Sequence, residues 1–298
     1  MDVSVIIVNY HTSKLINDCI ASIFKHTEGV EYEVVVVDNN TENLSIEIAS
    51  ADDVRVKLIQ LDSNLGFGCA NNEGARVAKG RNIFFLNPDT LLLNNAIKIL
   101  SDYLDHNPKC GGCGGNLYDI NKHPVMSFHH KMPGVFWEFD DLLNTVPEKI
   151  RHGKNRWFNH TGAPLSVGYI QGADLMMPKD LFDKLGGFSD EFFMYYEETD
   201  LCRRIHESGH SLVSVPRAEI IHYESASFTT EDAFERKWKM VYKSRMIYLR
   251  RAYGKMMISL ANSVGCMFLR SRCLLIKDEQ KRHCYKTRLM LFKESIKR

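Results

Sequence analysis

Acidic side chains at the ends of apolar runs are the first places in this chain to look for chemistry. Ile83-Phe84-Phe85-Leu86 is followed at once by Asn87-Pro88-Asp89-Thr90. Four apolar residues in a row read as a buried parallel strand, and Asn-Pro cannot continue a central strand. Asp89 is therefore expected just past the carboxyl end of a strand, where open α/β sheets bind ligands. A carboxylate there suits a divalent cation held against a diphosphate, because Mg2+ is usually held by one or two carboxylates plus phosphate oxygens. Taken alone, a solvated turn aspartate is the simpler reading; the other groups change it.

Glu197-Glu198 form the second half of the constellation. Two adjacent acids at a helix start are stabilised by its dipole. Adjacent residues do not share a face, so one can cap while the other faces a cleft as a general base for a hydroxyl. Which of the two does so stays open at this level. Arg204 lies four residues after Asp200, a pair that supports the helix. His222 ends a short strand before Glu224-Ser225; a lone histidine is more often structural, but imidazole is also a common metal ligand. Asp38 closes the apolar run Tyr32–Val37 and can accept a base N–H. Asn64, Gly66 and Asn71-Asn72 follow a third strand.

Direct displacement of a diphosphate by a hydroxyl needs a neutralised leaving group, a base for the attacking hydroxyl, and both partners held in line. Asp89 with His222, a glutamate of the 197–198 pair, and the long stretch from Cys110 to Val167 supply candidates for each. Gly66-Phe67-Gly68-Cys69-Ala70-Asn71 superficially resembles a dinucleotide glycine fingerprint. It follows the third strand rather than the first and ends in Asn, and Asn9-Tyr10-His11 after the first strand has no glycine, which argues against a dehydrogenase.

The elements that must position these groups follow from the apolar pattern. Val3–Val8, Tyr32–Val37, Val54–Leu61 and Ile83–Leu86 read as strands. Between and after them, Thr12 to about His26, Leu44 to about Ala51, Gly66–Lys79 and Asn94 to about His106 read as helices. Strands alternating with helices imply a parallel sheet with right-handed crossovers, an α/β nucleotide-binding half. From Cys110 to Val167 prolines and aromatics break the pattern, as in a substrate wall or a loop with its own small cluster. Val167–Met177 reads as a strand, Thr199–Ser208 as a helix closed by Gly209, and Ser211–Val215 and Ala218–His222 as two short strands.

The 298 residues allow one large domain, or one domain with an appendage. With 44% hydrophobic and 25% charged residues the composition is that of a globular protein, and a net charge of +1 gives no sign of nucleic-acid binding. The start, Met1-Asp2-Val3-Ser4, shows no signal peptide, so a cytoplasmic protein is expected. The eight cysteines are then expected as free thiols, and Cys110-Gly-Gly-Cys113, with no second pair to make a zinc site, reads as a Gly-rich turn and strand start.

Glu231 to about Tyr253 reads as a basic helix. Met256–Leu269 is apolar with Arg250, Arg251, Lys255, Arg270 and Arg272 around it. It is shorter than the ~18 residues a span needs. Basic flanks suit an interfacial helix on anionic lipid. Packing on the domain or at a homo-oligomer interface is the alternative, and is preferred.

The blocks SVIIVNY, VVVVDNN, NLGFGCANNEGA, FFLNPDT, GGFSDEFFMYYEETDLCRRIHESGH and VPRAEIIHYESAS, in that order across Ser4 to Ser227, resemble glycosyltransferase family 2. Within it they are similar to the rhamnosyltransferase-like members that build bacterial surface polysaccharide. The resemblance implies a GT-A fold, a Rossmann-like mixed sheet flanked by helices. It also implies a dTDP- or UDP-sugar donor, Mg2+ or Mn2+, and inversion at the anomeric carbon. By the same resemblance Asn9, Asp38 and Asn64 line the nucleoside pocket; Gly66 and Asn71, placed at a ligand-facing end by following the third strand, are taken with them as cofactor-binding candidates. Asn87-Pro88-Asp89 stands for the Asp-x-Asp motif, with Asn in the first place and Asp89 facing the metal. His222 matches a metal-ligating histidine of some members, and Gly172 the strand beside the donor sugar. Glu198 matches the second acid of the family's Glu-Asp pair, the catalytic base; Glu197 remains its rival.

The expected domains are 1–228, with a nucleotide half 1–107 and an acceptor half 108–228, and a helical extension 229–298. A glycan or lipid-linked acceptor is expected, which would place the protein peripherally on the inner face of the plasma membrane. Within enzymes the competitors are a nucleotidyltransferase, which wants a Gly-rich basic loop after the first strand, and a glycoside hydrolase, which also uses two carboxylates. From another class the competitor is a non-catalytic sugar-nucleotide-binding subunit.

Overall fold

The computed structural model describes residues 1–40, 48–223 and 231–297. In chain order the first elements are β1 (Val3–Asn9), α1 (Ser13–His26), β2 (Tyr32–Asp38), β3 (Val56–Gln60), α2 (Phe67–Val77), β4 (Asn82–Leu86), β5 (Thr90–Leu92), α3 (Ala96–His106) and β6 (Cys110–Tyr118). Then come β7 (Phe128–His129), α4 (Val135–Leu142), α5 (Val146–His152), β8 (Leu165–Val167), β9 (Tyr169–Ile170), β10 (Asp174–Pro178), α6 (Lys179–Lys184), α7 (Glu197–Glu207) and β11 (Ser211–His222). Three helices close the chain: α8 (Glu231–Ala252), α9 (Lys255–Leu275) and α10 (Glu279–Lys297). Residues 44–47 of the helix expected from Leu44 to Ala51 lie outside the described residues, as do Glu224 and Ser225, and 48–51 form a turn rather than a helix.

The central sheet runs β3-β2-β1-β4-β10-β6-β11-β5, with β8 beside β11. β1, β2 and β4 are buried at every position, as their unbroken apolar runs require of strands covered on both faces. β1 pairs in parallel with β2 and with β4. β10 enters antiparallel between β4 and β6, which makes the sheet mixed. This is an α/β sheet flanked by helices, as expected, with a helical C-terminal region.

Several boundaries differ from the sequence reading. β6 is a central strand with eight buried positions, although its CGGCGG run lacks an apolar pattern. Bulky neighbours fill the space instead: a Cβ at Gly111 would lie 2.5 Å from Ile205 Cγ2, and one at Gly115 2.5 Å from the Ala218 carbonyl. The expected strand Val167–Met177 is broken into β8, β9 and β10 by tight turns. The two expected strands of residues 211–222 are one strand, β11, with an irregular register between Ser214 and Glu219.

By contacts the chain divides into two compact units. The first comprises Met1–His130, Trp157–Phe193 and Glu197–Ser225 and contains the sheet. The second comprises Lys131–Arg156, Met194–Tyr196 and Ala226–Arg298. Its core gathers Tyr242, Leu269, Leu291 and Phe292. Beside that core Arg245, 5% exposed, donates to Glu138 at 2.8 Å and Asn262 at 2.8 Å and lies 4.8 Å from the Phe292 ring centre. Ala261, Val264, Gly265 and Leu269 of α9 are buried, so the apolar stretch expected at Met256–Leu269 packs one side within this unit. Met256, Leu260, Met267 and Leu274 form an exposed stripe on its other side, at 100° per residue. Among the described residues no helix is long and apolar enough to cross a membrane.

Candidate active site

The parallel pairing of β1 with β2 sets Asn9 beside Asp38 at the carboxyl ends of both strands. Asn9 Nδ2 donates to Asp38 Oδ1 at 2.8 Å, and Asn9 Oδ1 accepts from the Thr12 amide and hydroxyl at 3.1 and 2.8 Å. Asp38 is fully buried, and its second oxygen, Oδ2, has no hydrogen-bond partner. A buried carboxylate oxygen without a donor is costly unless a ligand supplies one.

Asn64 is tied into the loop before α2. Its Oδ1 accepts from Asn39 Nδ2 at 3.0 Å and from the Gly66 amide at 2.9 Å, while Asn39 Oδ1 accepts from the Leu65 amide at 2.9 Å. Asn39 is thus a loop-forming residue that the sequence reading left without a role, although it stands directly after Asp38. Gly66 has φ 81°, and a Cβ there would lie 2.1 Å from the Phe193 carbonyl oxygen. That glycine serves a close backbone approach. Asn71 is 1% exposed and its Nδ2 donates to Phe67 O within α2 at 3.0 Å, so its amide nitrogen faces its own helix. Its neighbour Asn72 holds Phe188 by both backbone groups, donating to the carbonyl at 2.8 Å and accepting from the amide at 2.9 Å.

Asp89 and His222 meet. β11 pairs with β5 so that His222 stands opposite Thr90, and His222 Nε2 lies 3.4 Å from Asp89 Oδ1. Asn87 Nδ2 is 3.5 Å from the same ring nitrogen. Asn87 Oδ1 and His222 Nδ1 are buried without hydrogen-bond partners. Two donors on one octahedral ion, each about 2.1 Å from it, stand about 3 Å apart. The Asp89–His222 separation fits that, and a carboxylate with an imidazole is an acceptable donor pair for Mg2+ or Mn2+. A carboxylate and an imidazole would leave the other positions of an octahedral ion to water and phosphate oxygens, so the pair fits an ion shared with a phosphate ligand.

α7 begins at Glu197, two residues earlier than the sequence reading placed it. Both acids are in its first turn, but they face different surroundings. Glu197 is 4% exposed, and a Cβ at Gly68 would lie 3.3 Å from its Cβ, so Gly68 lets α2 approach Glu197. Glu197 Oε2 has no partner. Burial, and then the charge of Glu198, push its pKa well above the ordinary carboxylate range. Glu198 is half-buried and stands against Gly172, where a Cβ would lie 3.5 Å from Glu198 Cβ and Cγ. Burial raises its pKa too, opposed by hydrogen bonds that include the Thr199 hydroxyl at 3.2 Å. Asp200, fully buried, is held by Arg203 at 2.9 Å and Arg204 at 2.8 Å.

Asp174 went unassigned in the sequence reading. It is fully buried at the start of β10, accepts from the Gly115 amide at 2.6 Å, and has its pKa pushed well up by burial. The adjacent Ala173 carbonyl accepts from the Asn87 amide at 3.0 Å, so this turn braces the Asn87-Pro88-Asp89 motif. An acid inside an otherwise apolar strand segment was the available signal.

A mixed sheet of this order, with its polar groups gathered at the carboxyl ends of β1, β2 and β4 and at the start of α7, is the architecture of a GT-A type glycosyltransferase. Residues 4–163 match the family model described as glycosyl transferase family 2, over half of the chain, and the chain belongs to that family. It is 24% identical over 244 residues to the N-acetylglucosaminyl-diphospho-decaprenol L-rhamnosyltransferase of Mycobacterium tuberculosis, covering 75% of this chain and 76% of the relative. It is 30% identical over 192 residues to the dTDP-rhamnosyl transferase RfbF of Shigella flexneri, covering 63% and 59%. Among solved structures, that of GalNAc-T7 with UDP, GalNAc and Mn2+ superposes with a TM-score of 0.55 at 15% identity, covering 80% of this chain and 48% of that one. The solved structure shows the shared fold, and the two rhamnosyltransferase relatives align the chain with the rhamnosyltransferase-like members of the family.

Proposed function

We propose that this glycosyltransferase moves a sugar, rhamnose first among the candidates, from a dTDP- or UDP-linked donor to a hydroxyl of a glycan or lipid-linked acceptor, with inversion, in bacterial surface polysaccharide synthesis. The observation that carries the reading is the 3.4 Å meeting of Asp89 and His222, brought together by the pairing of β5 with β11. The names of the two relatives support the sugar and the acceptor class.

In this reading residues 1–107 bind the nucleotide and 108–228 the acceptor. Asp38 Oδ2 accepts an N–H of the base, with Asn9 fixing the carboxylate and Asn64 shaping the loop beside it. Asp89 and His222 hold a divalent cation on the donor, with Asn87 alongside. A bound cation neutralises charge on the diphosphate as it leaves. Glu198 accepts the proton of the attacking hydroxyl, and Gly172 leaves the space in front of it. Glu197, more deeply buried, packs against Gly68 of α2 and takes no part in the transfer.

Calorimetric titration with UDP, dTDP and GDP, each with and without Mn2+, tests the reading. Metal-dependent binding of one pyrimidine diphosphate is expected. No binding of any of them, with or without metal, would move the weight to a non-catalytic subunit.

A further inference from the structure

The second unit carries an apolar edge that its own core leaves uncovered. α4 exposes Phe136 by 73% and Phe139 by 40%, and Leu143 just beyond it by 54%. Spacings of three and four put these on one helical face. Val146 (46% exposed) and Ile150 (81%) of α5 continue the edge, and with Leu143, Pro147 and Arg151 they line an open groove. A contiguous apolar patch of this kind marks an interaction surface rather than scattered exposure.

The edge is a held surface. Asn144 and Thr145 both have left-handed backbones, φ 56° and 59°, and the Thr145 amide donates to the Asp140 carbonyl at 2.6 Å, which turns the chain from α4 into α5. Lys131 ties the two helices by pairing with Asp140 at 2.6 Å and Glu148 at 2.8 Å. Arg156 donates to the Thr145 hydroxyl at 2.8 Å, and Arg272 to Asn144 Oδ1 at 3.1 Å.

The exposed charge beside it is basic. Lys149, Arg151 and Lys154 are exposed next to Ile150, while none of the acids of α4 and α5 is fully exposed: Asp140 and Glu148 are paired with Lys131 and Glu138 with Arg245, and Asp141 is partly buried. We propose that this α4–α5 edge docks on an anionic phospholipid surface. Leu143, Val146 and Ile150 enter the headgroup–acyl boundary, and Lys149, Arg151 and Lys154 meet lipid phosphates. Charge complementarity selects lipid over a second copy of the chain. A two-fold contact through the same edge would set the basic cluster against itself. The outward stripe of α9 is the competing surface, but its Met256, Leu260, Met267 and Leu274 share their side of the helix with Ser263. The docking does not depend on which sugar is transferred.

Flotation of the full chain tests this, with vesicles of phosphatidylcholine alone or mixed with phosphatidylglycerol. The chain is expected to float with the anionic vesicles only, and to be released by salt. Val146→Asp with Ile150→Asp is expected to weaken binding at least about tenfold. Reversal of Lys149, Arg151 and Lys154 to Glu is expected to weaken it roughly a hundredfold or more. Met267→Asp on α9 leaves it unchanged. Because all these positions are exposed, each variant should keep the parent's circular dichroism and thermal midpoint. Absence of binding by the parent, indifference to both edge variants, or loss in Met267→Asp alone would overturn the proposal. So would a concentration-dependent dimer in sedimentation that Val146→Asp with Ile150→Asp dissociates, since the occupant would then be a second copy.

Discussion

Glu198 and Gly172 face each other so closely that a methyl group at 172 would lie 3.5 Å from both Cβ and Cγ of the glutamate. That is ordinary contact, so alanine fits there while a branched side chain displaces the acid. Glu197, one residue away, faces Gly68 instead. The two acids are separated by surroundings rather than by chemistry. Glu198→Gln is expected to lower kcat by about 10²–10⁴ with diphosphate affinity unchanged. Glu197→Gln is expected to keep most of the turnover. Steady-state kinetics beside calorimetry decide it; the reverse pattern would exchange the two roles.

The same pair sets two pH dependences. A base whose pKa is raised by burial is protonated at pH values where an ordinary glutamate, near 4.3, is already ionised. The acidic limb of kcat/KM should therefore lie above that value, and Glu198→Gln should abolish it. Stability follows Glu197. Its folded pKa is raised, so the folded chain binds the proton more tightly than the unfolded chain. The stabilisation is complete below the unfolded value and is lost as pH rises through the folded one. Glu197→Gln should thus raise Tm relative to the parent at pH 8, and the difference should narrow towards pH 5.

Asp38 presents one oxygen to Asn9 and leaves the other without a partner. A hydrogen bond to a buried charged group is worth about 1.5–3 kcal/mol. Asp38→Asn should accordingly weaken binding of the preferred pyrimidine diphosphate by about ten- to a hundredfold, with or without Mn2+. An unchanged affinity in the same titration would move the base elsewhere.

His222→Gln and Asp89→Asn should act differently from Asp38→Asn. Each is expected to reduce the Mn2+-dependent part of diphosphate binding by at least about tenfold and to leave the metal-independent part alone. Equal losses with and without metal would remove the cation from this pair.

Gly66→Ala tests the loop rather than the chemistry. The new Cβ would meet the Phe193 carbonyl oxygen at 2.1 Å in a left-handed backbone. The expected cost is about 2 kcal/mol or more, read as a shift in the denaturant midpoint. A neutral result would mean that the approach of residue 193 to the start of α2 is not maintained in solution.

β1, β2 and β4 were legible because strands buried on both faces must be apolar throughout. Of β6 only its start at Cys110 was legible, not its length or central place, because its glycines make room for Ile205, Ile170 and the backbone at Ala218, so neighbouring elements fill the space its own side chains would occupy. Asp89 and His222 could each be placed at a strand end from local pattern. Their meeting depends on β5 lying against β11, a pairing that no local pattern states. The difference between Glu197 and Glu198 was hidden for a similar reason: it is made by Gly68 and Gly172, far away in sequence. Gly66 and Gly68, read first as part of a poor dinucleotide fingerprint, are places of close packing.

The buried pair Arg245–Glu138 joins residues 107 positions apart. During synthesis α4 leaves the ribosome long before α8 exists, so Glu138 must wait in water until its partner arrives. The second unit therefore closes only when the final third of the chain has been made. A prematurely terminated product lacking α8 would hold a carboxylate prepared for a guanidinium that never comes, together with the uncovered apolar faces of α4. Such a product should be recognised by chaperones and proteases as unfinished, even where the sheet has already formed.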